Sequence, residues 1–88
     1  MKALKTDKAP AAIGPYSQAI EVNGFVFASG QIPLNPATGE FVEGGIKEQT
    51  RQALNNAREI LRSAGLDLSN VVKTSVMLAD IKYFGEMN

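Results

Sequence analysis

The sequence predicts an α+β domain in which one long helix covers one side of an antiparallel sheet. Three observations carry that prediction. Asn23 Gly24 stands between two apolar runs, the signature of a hairpin whose type I′ turn needs positive φ at both central residues. The less polar residues from Ile46 to Ala64 recur at helical spacing. After a connector, Val71 to Ala79 alternates as a strand does. A hairpin, then a helix, then a strand stacks as two layers.

Ala3 to Thr6 reads as a short opening strand. The segment Ala9 Pro10 Ala11 Ala12 Ile13 Gly14 Pro15 cannot be helical, because its prolines remove donors and push the residues before them towards extended backbone. It must be a shaped loop. Tyr16 stands where that loop becomes strand, a place from which its hydroxyl can lean over a cleft. Its ring can equally sit in the core with only the hydroxyl at the surface. Pairing about Asn23 and Gly24 sets Val22 against Phe25 and Ile20 against Phe27, and brings the Gln18 region beside Ser29. The open end of the hairpin is therefore the place to seek a polar pocket. Phe25 to Ala28 is apolar at every position, so both faces of the sheet are expected to be covered. One helix can cover only one of them.

Asn35 Pro36 Ala37 Thr38 Gly39 Glu40 is dense in turn formers, and Phe41 and Val42 follow as a brief return strand. Glu43 Gly44 Gly45 is a connector, with no GxGxxG or Walker pattern around its glycines. In the helix, the inward stripe is Ile46, Thr50, Ala53, Leu54, Ala57, Ile60, Leu61 and Ala64, while Lys47, Arg51, Arg58 and Glu59 form a solvated face. Glu48 in the first turn and Arg62 in the last suit the macrodipole, and Gly65 supplies the stop. Leu66 to Asn70 is a turn. In the strand that follows, Val72, Thr74, Val76 and Leu78 should meet the helix. Asp80 reads as the N-cap of a second helix through Ile81, Phe84 and Met87.

At 88 residues this is one domain, which buries about 60–65% of the surface its unfolded chain exposes. With 44% hydrophobic and 20% charged residues, the composition is neither that of a disordered chain nor that of a membrane span. The opening residues lack a secretory h-region, so a cytoplasmic protein is expected. Nine basic residues balance nine acidic ones, which removes the field that nonspecific nucleic-acid binding uses. With no cysteine and no histidine, the chain has no thiolate nucleophile and lacks the commonest general base and metal ligands. Its chemistry must come from hydroxyls, carboxylates, amines, amides or backbone.

Gly14 Pro15 Tyr16 Ser17 Gln18 Ala19, then Ala28 Ser29 Gly30 Gln31 Ile32 Pro33, the turn Asn35 to Glu40, and Val71 Val72 Lys73 Thr74 resemble the RidA (YjgF-like) family of reactive-intermediate imine deaminases. The resemblance spans nearly the whole chain. It implies a chorismate-mutase-like α+β fold assembled as a homotrimer, with sheets turned inward, helices outside and active sites in clefts between subunits. It further implies hydrolysis of 2-imino and enamine acids, such as 2-iminobutanoate and 2-iminopropanoate, to 2-oxo acids and ammonia, with no metal or cofactor.

By position, Tyr16 and Ser29 are similar to the family's catalytic tyrosine and serine. Gly30 and Ile32 would supply backbone and wall, and Phe84 and Asn88 would line the same cleft. The family also uses an arginine that clamps the substrate carboxylate and a glutamate on its final strand, both beyond the position of Asn88. Residues 1–88 thus read as a single RidA-like domain, incomplete at its C-terminus and ending just inside the second helix. Lys73 and Arg51 are read as strand surface and helix exterior, not as substitutes for that cation. Two other classes remain as alternatives: a ligand-binding or chaperone-like trimer without turnover, and a translation-inhibiting ribonuclease.

Overall fold

Asn23 (φ 49°) and Gly24 (φ 79°) both take the left-handed conformation that a type I′ turn demands, in a computed structural model that describes residues 1–12, 16–78 and 80–88. The turn joins β2 (Ala19–Val22) to β3 (Phe25–Ala28) with Val22 opposite Phe25 and Ile20 opposite Phe27, the expected register. The opening strand, β1 (Lys2–Leu4), is shorter than expected and pairs antiparallel with β2, Leu4 facing Ala19. The sheet order is β1-β2-β3. The Gly14 Pro15 part of the opening motif lies outside the described residues, as does Ala79.

Strand alternation then sorts the faces. Leu4, Ala19 and Val26 lie on one side and pack with Ala9, Ile60 and Ala64 as the core. Ala3, Ile20, Val22, Phe25 and Phe27 lie on the other. Among the described residues that second face is largely uncovered: Phe25 and Phe27 are 63% and 64% exposed, their ring centroids 6.4 Å apart.

The helix α1 (Ile46–Arg62) begins where the Glu48 carboxylate reaches back to accept from the Gly45 amide at 3.0 Å. Gly44 must be glycine here. Its φ is 112°, and a Cβ on it would lie 2.8 Å from the Glu48 Cγ. At the other end Gly65 is left-handed (φ 78°), and the Leu66 amide donates to the Leu61 carbonyl at 2.9 Å, closing a Schellman-type stop.

The buried residues of α1 are Asn56, Ile60 and Leu61, and Leu54 is 47% exposed, so the expected stripe needs correction. At 100° per residue Leu54 stands about 160° around the helix from Asn56, away from the loop that Asn56 meets. Arg58 is not simply solvated either. Its guanidinium makes two bonds to Asp67, Nε to Oδ1 at 2.9 Å and Nη2 to Oδ2 at 3.3 Å, and Arg62 Nε lies 3.6 Å from the same carboxylate.

Asp67 also accepts from the Leu68 amide, capping a 3-10 turn at Leu68–Asn70. The Arg58 hydrogen bond, then the Leu68 amide, holds the Asp67 carboxyl below its ordinary value. A depressed folded pKa means that the contribution is full above the ordinary aspartate value of about 3.9 and fades as pH falls through the lower folded one. The difference in urea midpoint between wild type and Asp67→Asn is therefore expected at pH 7 and should vanish in strong acid. A difference that persists there would assign the effect to the cap alone.

The strand expected over Val71 to Ala79 does not form among its described residues, 71–78. Residues 71–78 have no ladder partner among the described residues, and Val72, placed on the helix side by alternation, is 94% exposed. A strand exists only through its neighbour. Here the sheet ends at β3, and β-propensity alone cannot hold an extended segment against it. Asp80 does cap, accepting from the Lys82 amide at 3.0 Å, but it starts a 3-10 turn (Ile81–Tyr83) that passes into the short helix α2 (Phe84–Met87) against α1. No helix is long and apolar enough to cross a membrane among the described residues.

Candidate functional site

Where β3 ends, the ladder runs one residue further, the Ser29 amide donating to the Gln18 carbonyl at 2.9 Å. The Ser29 hydroxyl then donates to the Ser17 carbonyl at 2.6 Å. That bond commits the Ser29 proton and leaves its lone pairs to accept from a water or a substrate N–H. Tyr16, the residue before Ser17, is half exposed on a cleft of about 460 Å³ that Lys5, Asp7, Ala11, Ser17 and Pro36 also line. Hence the two hydroxyl residues are coupled through one intervening peptide, at the open end of the hairpin where a polar pocket was expected.

The cleft keeps its shape because of Gln18, whose role is not legible in the apolar pattern of the sequence. Its buried amide accepts from Thr6 N at 2.7 Å and donates to the carbonyls of Thr6 (3.1 Å), Ala9 (3.3 Å) and Pro10 (2.8 Å). One side chain thereby ties the amino-terminal arm to the segment that leads from Tyr16 into β2. A glutamine entering a strand after a Pro-rich loop, with so many unpaired loop carbonyls nearby, was the available signal.

Past Ser29, Gly30 borders open space, since a Cβ built on it would meet nothing within 4 Å. Ile32, half exposed, begins a tight turn in which the Leu34 amide donates to the Ile32 carbonyl at 2.8 Å across Pro33. The 35–40 turn follows as expected: Asn35 Oδ1 accepts from the Ala37 amide, Gly39 has φ 74°, and Leu34 bridges Phe41. The return strand at Phe41 and Val42 is reduced to that single bridge.

Phe84 lies elsewhere, in an apolar hollow with Val76, Leu78, Ile81 and Met87. Asn88 is next to it, its amide donating to the Phe84 carbonyl at 2.8 Å. Among the described residues, Tyr16 and Ser29 on one side and Phe84 and Asn88 on the other do not line a common cleft within one chain. Tyr16 lines the cleft, while Ser29 adjoins it through its bond to the Ser17 carbonyl and is followed along the chain by Gly30 and Ile32. The hydroxyls and amides of this stretch can place a water and exchange hydrogen bonds with a small polar substrate, but none is a strong base at neutral pH.

The family described as Endoribonuclease L-PSP matches residues 6–88. The chain is similar to the 2-iminobutanoate/2-iminopropanoate deaminase of Mus musculus, 54% identical over 99% of this chain and 64% of the mouse protein. In structure it is similar to the YjgF gene product of E. coli, with TM-score 0.93 and 41% identity over 99% of this chain and 68% of that one. It is also similar to E. coli TdcF with bound serine, with TM-score 0.93 and 38% identity over the same shares. The chain thus spans a little under two thirds of the mouse protein's length.

Proposed function

Because the chain belongs to the endoribonuclease L-PSP family, which includes the RidA (YjgF-like) proteins, we propose that the protein hydrolyses 2-imino acids and their enamine tautomers to 2-oxo acids and ammonia. The observation that carries this reading is the 54% identity, over 99% of the chain, to a mouse protein named for the deamination of 2-iminobutanoate and 2-iminopropanoate. The serine bound to the similar TdcF supports a small amino-acid-like ligand.

The reaction adds water to the imine carbon, forms a carbinolamine, and breaks the C–N bond to release ammonia. In the proposed arrangement Tyr16 donates to and accepts from the imine nitrogen, and Ser29 accepts a hydrogen bond from the attacking water. Gly30 and Ile32 contribute the wall beside them, and Phe84 and Asn88 complete the cleft from a neighbouring subunit. The imine carbon is already electrophilic, so holding water and substrate in register is the main demand.

Assembly as a homotrimer would supply both that neighbour and a cover for the Ala3, Ile20, Val22, Phe25 and Phe27 face. A contiguous apolar surface of this kind is a common mark of an interface. Replacing Phe27 with aspartate should then shift the native mass from trimer to monomer. An unchanged trimer would move the interface to another face.

The reading is tested by generating 2-iminobutanoate with a threonine dehydratase in the presence of semicarbazide. Added protein should lower semicarbazone formation, because the imine is hydrolysed before it is trapped. An unchanged yield at stoichiometric protein, with ligand still bound, would favour the non-catalytic binding module. The ribonuclease reading draws on the family's description. A net charge of zero and the lack of histidine weigh against it, and cleavage of labelled RNA without any effect on trapping would reinstate it.

A further inference from the structure

We infer that Asn56 is a positioning residue, an amide on α1 that sets the Ser29–Leu34 rim, the stretch carrying Ser29, Gly30 and Ile32, through the Ile32 and Leu34 carbonyls. Asn56 is 1% exposed, in the middle of a helix, where asparagine is a poor helix former and an unpartnered amide would cost about 1–3 kcal/mol. It is fully partnered. Its Nδ2 donates to the Ile32 carbonyl at 3.1 Å and to the Leu34 carbonyl at 2.9 Å, and its Oδ1 accepts from Gln52 Nε2 at 2.8 Å. Two carbonyls on one side and an amide donor on the other leave only one orientation for the side chain.

The span of these bonds shows what they are for. They join α1 to residues 24 and 22 positions earlier, across a segment with no ladder of its own. The Ile32 carbonyl takes both the Leu34 amide and Asn56, so the turn over Pro33 and its anchor to the helix share one atom. Ser29 pins the start of the rim to Ser17, and the Leu34–Phe41 bridge closes its far end. Between them, Asn56 is the only side chain of α1 recorded as bonding the rim among the described residues. An apolar residue of similar size would fill the same space but leave the Leu34 carbonyl without the Asn56 donor and the Ile32 carbonyl with the Leu34 amide alone, so packing alone does not account for an amide here. A rigid helix holding a loop by paired hydrogen bonds is how candidate site residues on that loop keep their geometry.

The test compares wild type with Asn56→Asp, which keeps the shape and removes both donors, and Asn56→Ala, which suits a helix and buries no charge. Amide spectra should show displaced signals for Gly30, Gln31 and Leu34. Exchange at the Val42 amide, which donates to the Pro33 carbonyl at 2.9 Å, should quicken roughly tenfold or more, as loss of the anchoring bonds would allow, while β2 and β3 stay protected. If Asn56→Asp does not fold, Asn56→Ala decides by the same signals. Displacements confined to α1, or exchange quickened evenly through the chain, overturn the inference and leave Asn56 a packing residue.

The functional consequence rests on the deaminase reading. In the trapping assay, kcat should fall roughly ten- to a hundredfold with KM nearly unchanged, since a misplaced rim costs alignment more than binding. An equal rise in KM with kcat intact would overturn that consequence. The spectra need no turnover, so a wild type that hydrolyses no imine yet shows the expected displacements would sink the reaction and spare the positioning.

Discussion

Replacing Ile60 with alanine is expected to lower stability by about 2–5 kcal/mol, the range for a large-to-small change in a core that cannot collapse around the gap. Ile60 has 0% of its surface exposed and sits with Leu4, Ala9 and Ala19 where the helix meets the sheet. Small domains have only about 5–15 kcal/mol in all, so the variant should melt far lower or fail to accumulate. The companion is Leu54→Ala. Sequence periodicity placed Leu54 on the same stripe, but it is 47% exposed, so a loss of under about 1 kcal/mol is expected. Chemical denaturation of both variants checks the pair. Equal losses would mean that Leu54 is covered in solution, by another copy or by chain packed against this face of the helix.

On the proposed deaminase reading, Tyr16→Phe and Ser29→Ala should each lower the rate of imine hydrolysis by roughly a hundredfold, the usual worth of a group that moves a proton or orients water. Their stability effects should differ. Tyr16 is half exposed and no hydrogen bond of its hydroxyl is recorded among the described residues, so the phenylalanine variant should melt as wild type does. Ser29→Ala loses the 2.6 Å bond to the Ser17 carbonyl and should cost about 0.5–1.5 kcal/mol. Trapping rates beside melting curves separate the two kinds of loss. Unchanged rates in both variants would remove the pair from the mechanism, whatever became of their stability.

The elements that were legible in the sequence are those whose cause is local. Asn23 Gly24 dictates its own turn, and the turn dictates the register through Val22 and Phe25. Glu48 and Gly65 mark the ends of α1 because capping uses atoms within a few residues of each other. The strand expected over Val71 to Ala79 failed for the opposite reason. Alternation and β-branching describe a segment that suits a sheet, but a ladder needs a second backbone, and none pairs with residues 71–78 among those described. Asn56 was in helical phase with Ala53 and Ile60. A periodic reading counts apolar residues and is blind to a polar one whose partners lie in a distant turn.

Taken by itself, the amino-acid order determined the fold class, the hairpin, the long helix and the resemblance that the family match bears out, since each depends on spacing along the chain. Tertiary structure decided the rest: which way α1 is rolled, which sheet face is largely uncovered among the described residues, and which backbone carbonyls Gln18 and Asn56 hold. Those are properties of atoms far apart in the chain. Many rolls and pairings satisfy the same periodicity, and only close packing, with every buried amide given a partner, selects one of them.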